Sequence, residues 1–152
     1  MLFRSEFSAN EVIYANLTLK TGVHKLYNIF TAGLVPNDTI SKWSFGYGFG
    51  FEKSNGKRFL HSYDFVANWV SEKDKPFGTL NLLNKLRINF AYQFGKRASV
   101  FLGPSINFHL SEWVDSDTGE FLTNIAPYTI STTVFGDTQM QIWVGGQFGF
   151  RF

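Results

Sequence analysis

The sequence predicts an all-β protein, a single antiparallel up-and-down barrel of about eight strands over residues 1–152. Apolar and polar residues alternate with a period of two along most of the chain, and short turn sequences separate the alternating segments. The chain also has 18 Phe, six Tyr and four Trp, yet its mean hydropathy is only −0.08. Many aromatic residues at near-neutral hydropathy indicate two segregated faces.

Five segments carry the clearest alternation. They are SKWSFGYGFGFEK, KRFLHSYDFVANWV, NKLRINFAYQF, ASVFLGPSINFHL and MQIWVGGQFGFRF. Their apolar faces hold no Lys, Arg, Asp or Glu, whereas the opposite faces hold Lys42, Glu52, Arg58, Asp64, Lys85, Arg87 and Arg151. Phe101 and Trp143 are the two aromatic residues on these polar faces. Earlier in the chain, LFRSEFS, VIYANLTLKTG and LYNIFTAGLV predict three more strands, which brings the total to about eight.

The connections alternate between short and long. Tight turns are expected near 23–25, 54–56 and 95–97, and longer loops near 36–40 and 71–79. Residues 112–138 show no steady pattern and are predicted to form the longest loop.

The composition of the two faces indicates a barrel that spans a membrane. Spanning strands need about 9–11 residues with apolar side chains outward, and a small barrel fills its interior with side chains. The predicted lipid-facing aromatic surface consists of Trp43, Phe45, Tyr47, Phe49, Phe51, Phe59, Tyr63, Phe65, Trp69, Phe90, Tyr92, Phe94 and Phe108. The predicted lumen network of ion pairs consists of Glu52, Arg58, Asp64, Lys85, Arg87 and Arg151.

The end of the chain, WVGGQFGFRF, resembles the C-terminal signal strand of bacterial outer-membrane barrels. Together with NLLNKLRINFAYQFGKRASVFLGPSINF, it is similar to barrels common in Bacteroidetes. This resemblance, good from about residue 41, implies a Gram-negative outer-membrane location, contact with outer-membrane lipid, and recognition of Phe148, Phe150 and Phe152 by the barrel-assembly machinery. The chain is then either a complete porin-like barrel or the C-terminal part of a larger one.

Composition excludes several classes of function. Without Cys there is no disulfide framework or thiolate metal site, and a net charge of +2 without a basic patch does not indicate nucleic acid. The opening residues MLFRSE lack the pattern of a secretory signal peptide. Export would therefore require a signal that this chain lacks, or a Met1 that is internal to a longer chain. The sequence indicates no oligomeric state.

Two alternatives stay open: a soluble lipocalin-like barrel that binds an apolar ligand, and a barrel enzyme that modifies lipid A. The enzyme reading depends on His109, Ser111 and Glu112, which resemble the His-x-Ser pair and Glu of barrel deacylases. The alternation, however, directs His109 and Ser111 to the lumen, away from lipid.

Other candidate residues have structural explanations. His61 lies on the apolar face without a partner for metal binding, and Asp115, Asp117 and Glu120 lack the full spacing of a calcium loop. We therefore predict a non-catalytic membrane barrel with no cofactor and no metal site.

Overall fold

The computed structural model describes residues 2–23, 25–35, 42–56, 58–71, 80–94, 98–112 and 125–152. The strands are β1 (Leu2–Asn10), β2 (Ala15–Val23), β3 (Leu26–Val35), β4 (Lys42–Ser54), β5 (Phe59–Val70), β6 (Asn81–Gln93), β7 (Ser99–Glu112), β8 (Ser131–Phe135) and β9 (Thr138–Arg151). No helix in the described residues is long and apolar enough to cross a membrane.

The strands close into an antiparallel barrel. Each strand from β1 to β7 pairs with the next, β7 pairs with β9, and β9 pairs back onto β1. Eight strands form the wall, as the alternation predicted, so the all-β up-and-down barrel is confirmed. The hairpin at Asn55 and Gly56 is confirmed too, with Gly56 at a φ of 94° that favours glycine.

The two ends of the barrel differ. β1 begins and β9 ends at one end, which also carries the connections 24–25, 55–58 and 94–98; we call it the short-turn end. The opposite end carries the connections 11–14, 36–41, 71–80 and 113–137, of which three are longer; we call it the long-loop end. The predicted turn at 95–97 and the predicted loops at 36–40 and, apart from Ser71, at 71–79 lie outside the described residues.

The sequence pattern did not predict one of the strands. The stretch 112–138 was predicted as a loop without regular structure, but β8 lies inside it and pairs with residues 138–142 of β9. Gly136, with a φ of 58°, turns the chain between the two strands. The signal was weak because β8 has five residues, and its side chains are mostly exposed on both faces. An alternating pattern forms only where one face of a strand is buried.

Side chains that alternate along the sequence point alternately into and out of the barrel. Along β4, Lys42, Ser44 and Glu52 are buried in the interior, while Trp43 and Phe45 are exposed on the outer wall. Gly48 allows β5 to approach closely, since a Cβ at Gly48 would lie 2.0 Å from the carbonyl oxygen of Phe65. The outer wall is therefore aromatic, and the interior is packed with polar side chains.

Candidate functional site

The interior of the barrel contains a network of charged side chains. Lys20, Asp64, Arg87 and Arg151 each have at most 5% of their surface exposed. Burying an isolated charge is costly, so buried charges need both ion-pair partners and hydrogen bonds. The strands supply these partners across the lumen, because every second residue of each strand points inward.

Asp64 on β5 lies at the centre of this network. Its Oδ2 is 2.9 Å from the ammonium of Lys20 and 3.3 Å from the guanidinium of Arg87. Its Oδ1 accepts a hydrogen bond of 2.6 Å from the hydroxyl of Tyr27, and Asn89 donates to Oδ2 at 2.9 Å. Gly50 faces this group, and a Cβ there would lie 2.4 Å from Asp64 Oδ1. The missing side chain at Gly50 thus makes room for the carboxylate.

Arg151 forms a second group of ion pairs nearer the short-turn end. Its Nε lies 2.6 Å from Glu6, and its Nη1 lies 2.7 Å from Glu52. Glu52 also pairs with Arg4. The guanidinium of Arg151 lies over the ring of Phe101, 5.6 Å from its centroid. The inward position of Phe101, an exception in the sequence pattern, thus provides a cation–π contact within the network.

Glu6 and Lys20 link the two groups, and the sequence prediction missed both. Lys20 Nζ lies 2.9 Å from Glu6 and 2.9 Å from Asp64, so it joins the Arg151 group to the Asp64 group. Glu6 lies on β1 and Lys20 lies on β2, and the alternation is less regular in both strands. The inward positions of Arg4 and Glu6 in LFRSEFS, with Phe3 and Phe7 outward, were the signal that could have identified Glu6.

The six residues predicted for the lumen network fall into three groups, which differ in position and partners. Glu52, Asp64, Arg87 and Arg151 are buried and joined by ion pairs. Lys85 is buried, but its ammonium donates to Asn10 Oδ1 at 2.8 Å, nearer the long-loop end. Including Arg58 was wrong: it is exposed and donates to the hydroxyl of Tyr92 at 3.2 Å. Arg58 precedes β5, which begins at Phe59, so the alternation of the strand does not apply to it.

An apolar layer closes the interior near the long-loop end. The turn between β1 and β2 folds inward and buries Val12 and Ile13. Asn10 Oδ1 holds this turn, because it accepts hydrogen bonds from the backbone N–H of both residues. The layer consists of Val12, Ile13, Val35, Val70, Leu83 and Trp143. Trp143, the second aromatic exception in the sequence pattern, is therefore an inward core residue.

Glu11 in the same turn binds the wall beside this layer. Its Oε1 accepts hydrogen bonds from Asn107 Nδ2 at 2.9 Å and from Trp143 Nε1 at 3.2 Å. Its Oε2 accepts one from the backbone N–H of Gly146 at 3.1 Å. No pattern in the sequence indicated Glu11, since it lies in a turn rather than on a strand.

All the predicted aromatic surface residues lie on the outer wall. Most are exposed, for example Phe49 at 61% and Phe90 at 55%. Phe65, Trp69 and Phe108 are half-buried between neighbouring outer side chains. Rings on adjacent strands contact each other: the centroids of Phe49 and Phe65 are 5.5 Å apart, and those of Phe59 and Tyr92 are 5.2 Å apart. Phe148, Phe150 and Phe152 are exposed on the same wall.

The residues of the catalytic alternative have other partners. His109 is buried, with Nε2 2.7 Å from Asn81 Oδ1 and Nδ1 3.3 Å from Gln141 Oε1. Ser111 accepts a hydrogen bond from Gln139 Nε2 at 3.2 Å. Both residues point into the barrel, as their parity in the sequence predicted.

Of the remaining candidate residues, His61 lies in the part of the chain that the structure describes. His61 is half-buried on the outer wall, and its ring contacts Tyr63 edge to face. Asp115, Asp117 and Glu120 lie outside the described residues. Within the described residues, no group of three or more His, Cys, Asp or Glu side chains could hold a metal ion.

The chain matches no family model, and comparison with curated proteins and with solved structures finds no significant match. The geometry of the barrel is therefore the basis for any functional argument.

Proposed function

We propose that this protein is an integral β-barrel of a bacterial outer membrane, with a structural, anchoring or surface-exposed role rather than a catalytic one. The inverted polarity of the barrel carries the proposal: charged groups such as Asp64 and Lys20 are buried inside, and large apolar side chains are exposed outside. Soluble proteins rarely expose a contiguous apolar patch larger than a few hundred Å². Lipid is the environment in which such a surface is stable.

The backbone of the barrel also suits a membrane. A bilayer leaves no water for unpaired N–H and C=O groups, so only helices and closed barrels span it. The wall closes through the pairing of β1 with β9. Strands β4 to β7 have 12–14 residues, which exceeds the roughly 9–11 that a spanning strand needs.

A soluble barrel that binds an apolar ligand needs the opposite arrangement. Such a barrel keeps polar side chains outside and an apolar cavity inside. Here Lys20, Asp64 and Arg87 occupy the middle of the interior, where an apolar ligand would have to displace a paired network. The polarity therefore favours the membrane barrel over the lipocalin-like alternative.

The resemblance of the last strand to the C-terminal signal strand of bacterial outer-membrane barrels supports a Gram-negative outer membrane as the location. In this proposal, Phe148, Phe150 and Phe152 form the signal that the barrel-assembly machinery recognises. Phe148 and Phe150 on β9, and Phe152 directly after it, are exposed on the outer wall, where another protein could contact them during assembly.

Arginine substitutions on the outer wall test the proposal. Phe49→Arg and Phe90→Arg should each prevent stable insertion into lipid vesicles, because a lipid-facing Arg near the midplane costs roughly 2–4 kcal/mol. Asn55→Arg, which makes the same change in an exposed turn, should insert normally. Insertion is measured by heat-modifiable gel migration and protection from protease. A wild-type chain that folds and stays soluble without detergent would refute the membrane location.

A further inference from the structure

The wall of the barrel contains a gap in strand pairing next to Glu11. β1 pairs with β9 as far as Asn10 and Gln147, whereas β8 pairs with β9 only up to Ile142. Between these points, the edge of β9 has no neighbouring strand in the described residues. Side chains bind the backbone there instead: Glu11 accepts the N–H of Gly146, and the hydroxyl of Tyr128 donates to the carbonyl of Val144.

A cleft of about 490 Å³ lies at this gap. The cleft is shallow and open toward the outer surface, so it would hold one part of a molecule rather than enclose it. Leu102, Pro104 and Phe148 give the cleft apolar sides. Gly146 adds free space, since a Cβ built on it would have its nearest neighbour 3.8 Å away. The cleft thus has room for part of an amphiphilic molecule.

Glu11 is the charged residue among the described residues that line the cleft. Its side chain is partly buried, and each of its oxygens already accepts at least one hydrogen bond. A carboxylate has about four acceptor positions, so Oε2 retains capacity for a further donor. Lys85 lies in the interior, where it donates to Asn10 and interacts electrostatically with Glu11, but it does not line the cleft. Glu11 is therefore the charged group that the cleft itself presents, with apolar side chains around it.

We infer that this cleft binds the ammonium headgroup of a single amphiphile, whose alkyl chain lies along the outer wall beside Leu102 and Phe148. An ammonium supplies both the charge and the hydrogen-bond donors that Glu11 Oε2 can accept. The inference rests on the proposed membrane location, since only lipid would keep the alkyl chain against the wall. An ionisable group in contact with lipid is expensive, and such groups commonly mark functional sites.

Titration of the folded barrel with dodecylammonium in non-ionic micelles tests this inference. The signal is the indole N–H resonance of Trp143, which bonds to Glu11 Oε1; a Trp143→Phe variant identifies it among the four Trp of the chain. We expect a saturable shift of this resonance. Glu11→Gln should weaken binding roughly tenfold or more, because it removes a charge-assisted hydrogen bond. Dodecanol, with the same chain and no charge, should produce no saturable shift.

Gly146→Leu provides a second variant that leaves Glu11 unchanged. It fills the cleft, so it should also abolish the saturable shift, even if Glu11→Gln does not fold. A shift that survives in the Leu variant, or that dodecanol reproduces, would overturn the inference, and so would the absence of any shift in the wild type. Heat-modifiable migration of the same samples reports the barrel itself. The cleft can therefore fail as a binding site while the membrane barrel stands.

Discussion

Lys20 on β2 and Asp64 on β5 form an ion pair of 2.9 Å across the interior, although two strands separate them in the wall. The pair therefore depends on closure of the whole barrel. Lys20 also contacts Glu6 at 2.9 Å, so one ammonium pairs with two buried carboxylates. The network thus links strands that are not neighbours in the wall through ion pairs between inward-pointing side chains.

Lys20→Met should destabilise the barrel by about 3–5 kcal/mol, because it leaves Asp64 and Glu6 buried with less positive charge. Urea unfolding of the barrel in micelles or vesicles measures the change. Lys53→Met, at the exposed end of β4, serves as the control and should leave the midpoint unchanged. Equal midpoints for the two variants would show that the ion pair contributes nothing to stability.

Gly48→Ala should prevent normal folding. Its Cβ would lie 2.0 Å from the carbonyl oxygen of Phe65 and 2.8 Å from the Cα of Val66, both backbone atoms that cannot move without separating β4 from β5. Gly146→Ala makes the same change where the nearest atom is 3.8 Å away, so it should fold like the wild type. Heat-modifiable migration after refolding compares the two. Normal yields of Gly48→Ala would contradict the packing described at β4.

The wild-type barrel should not pass small sugars. Val12, Ile13 and Trp143 pack as a layer near the long-loop end. Buried charged side chains occupy the interior between this layer and the short-turn end. Vesicles containing the protein should therefore swell in isotonic sugar no faster than protein-free vesicles. Faster swelling would mean that the layer opens and that the charged groups line a pore.

Phe152→Ala tests the proposed assembly signal. The backbone of residue 152 bonds to Ser5 in both directions at 3.0 Å, and an Ala substitution preserves those bonds. We therefore expect normal refolding in detergent but a reduced amount of assembled barrel in the cell envelope. Quantifying the heat-modifiable fraction in envelopes measures this difference. Equal envelope levels for both proteins would refute recognition of the Phe152 side chain.

Ser111→Ala tests the catalytic alternative. Because Ser111 and His109 point inward and bond to Gln139, Asn81 and Gln141, the variant should leave the acylation of lipid A unchanged. Mass spectrometry of lipid A from cells that express each form gives the result. A difference in acyl chains between wild type and variant would make the protein an enzyme.

Most of the fold could be predicted because it depends on local patterns. The inward position of Asp64 and the outward position of Phe49 follow from the period-two geometry of a strand. β8 was missed, and Arg58 was wrongly placed in the lumen, for local reasons as well. β8 buries neither face, and Arg58 precedes its strand. The candidate site was less predictable, because the alternation marked Asp64 and Arg87 as inward but did not identify their partners.

By itself, the sequence determined which side chains face the interior and which face outward, since the alternation of a strand is a property of neighbouring residues. Only the tertiary structure decided which charges pair. Lys20 meets Asp64 because closure and register bring non-neighbouring strands to opposite sides of one narrow interior. The position of Glu11 against Gly146, 135 residues later in the chain, has the same origin. Contacts at such separations depend on the closed wall, which no local pattern describes.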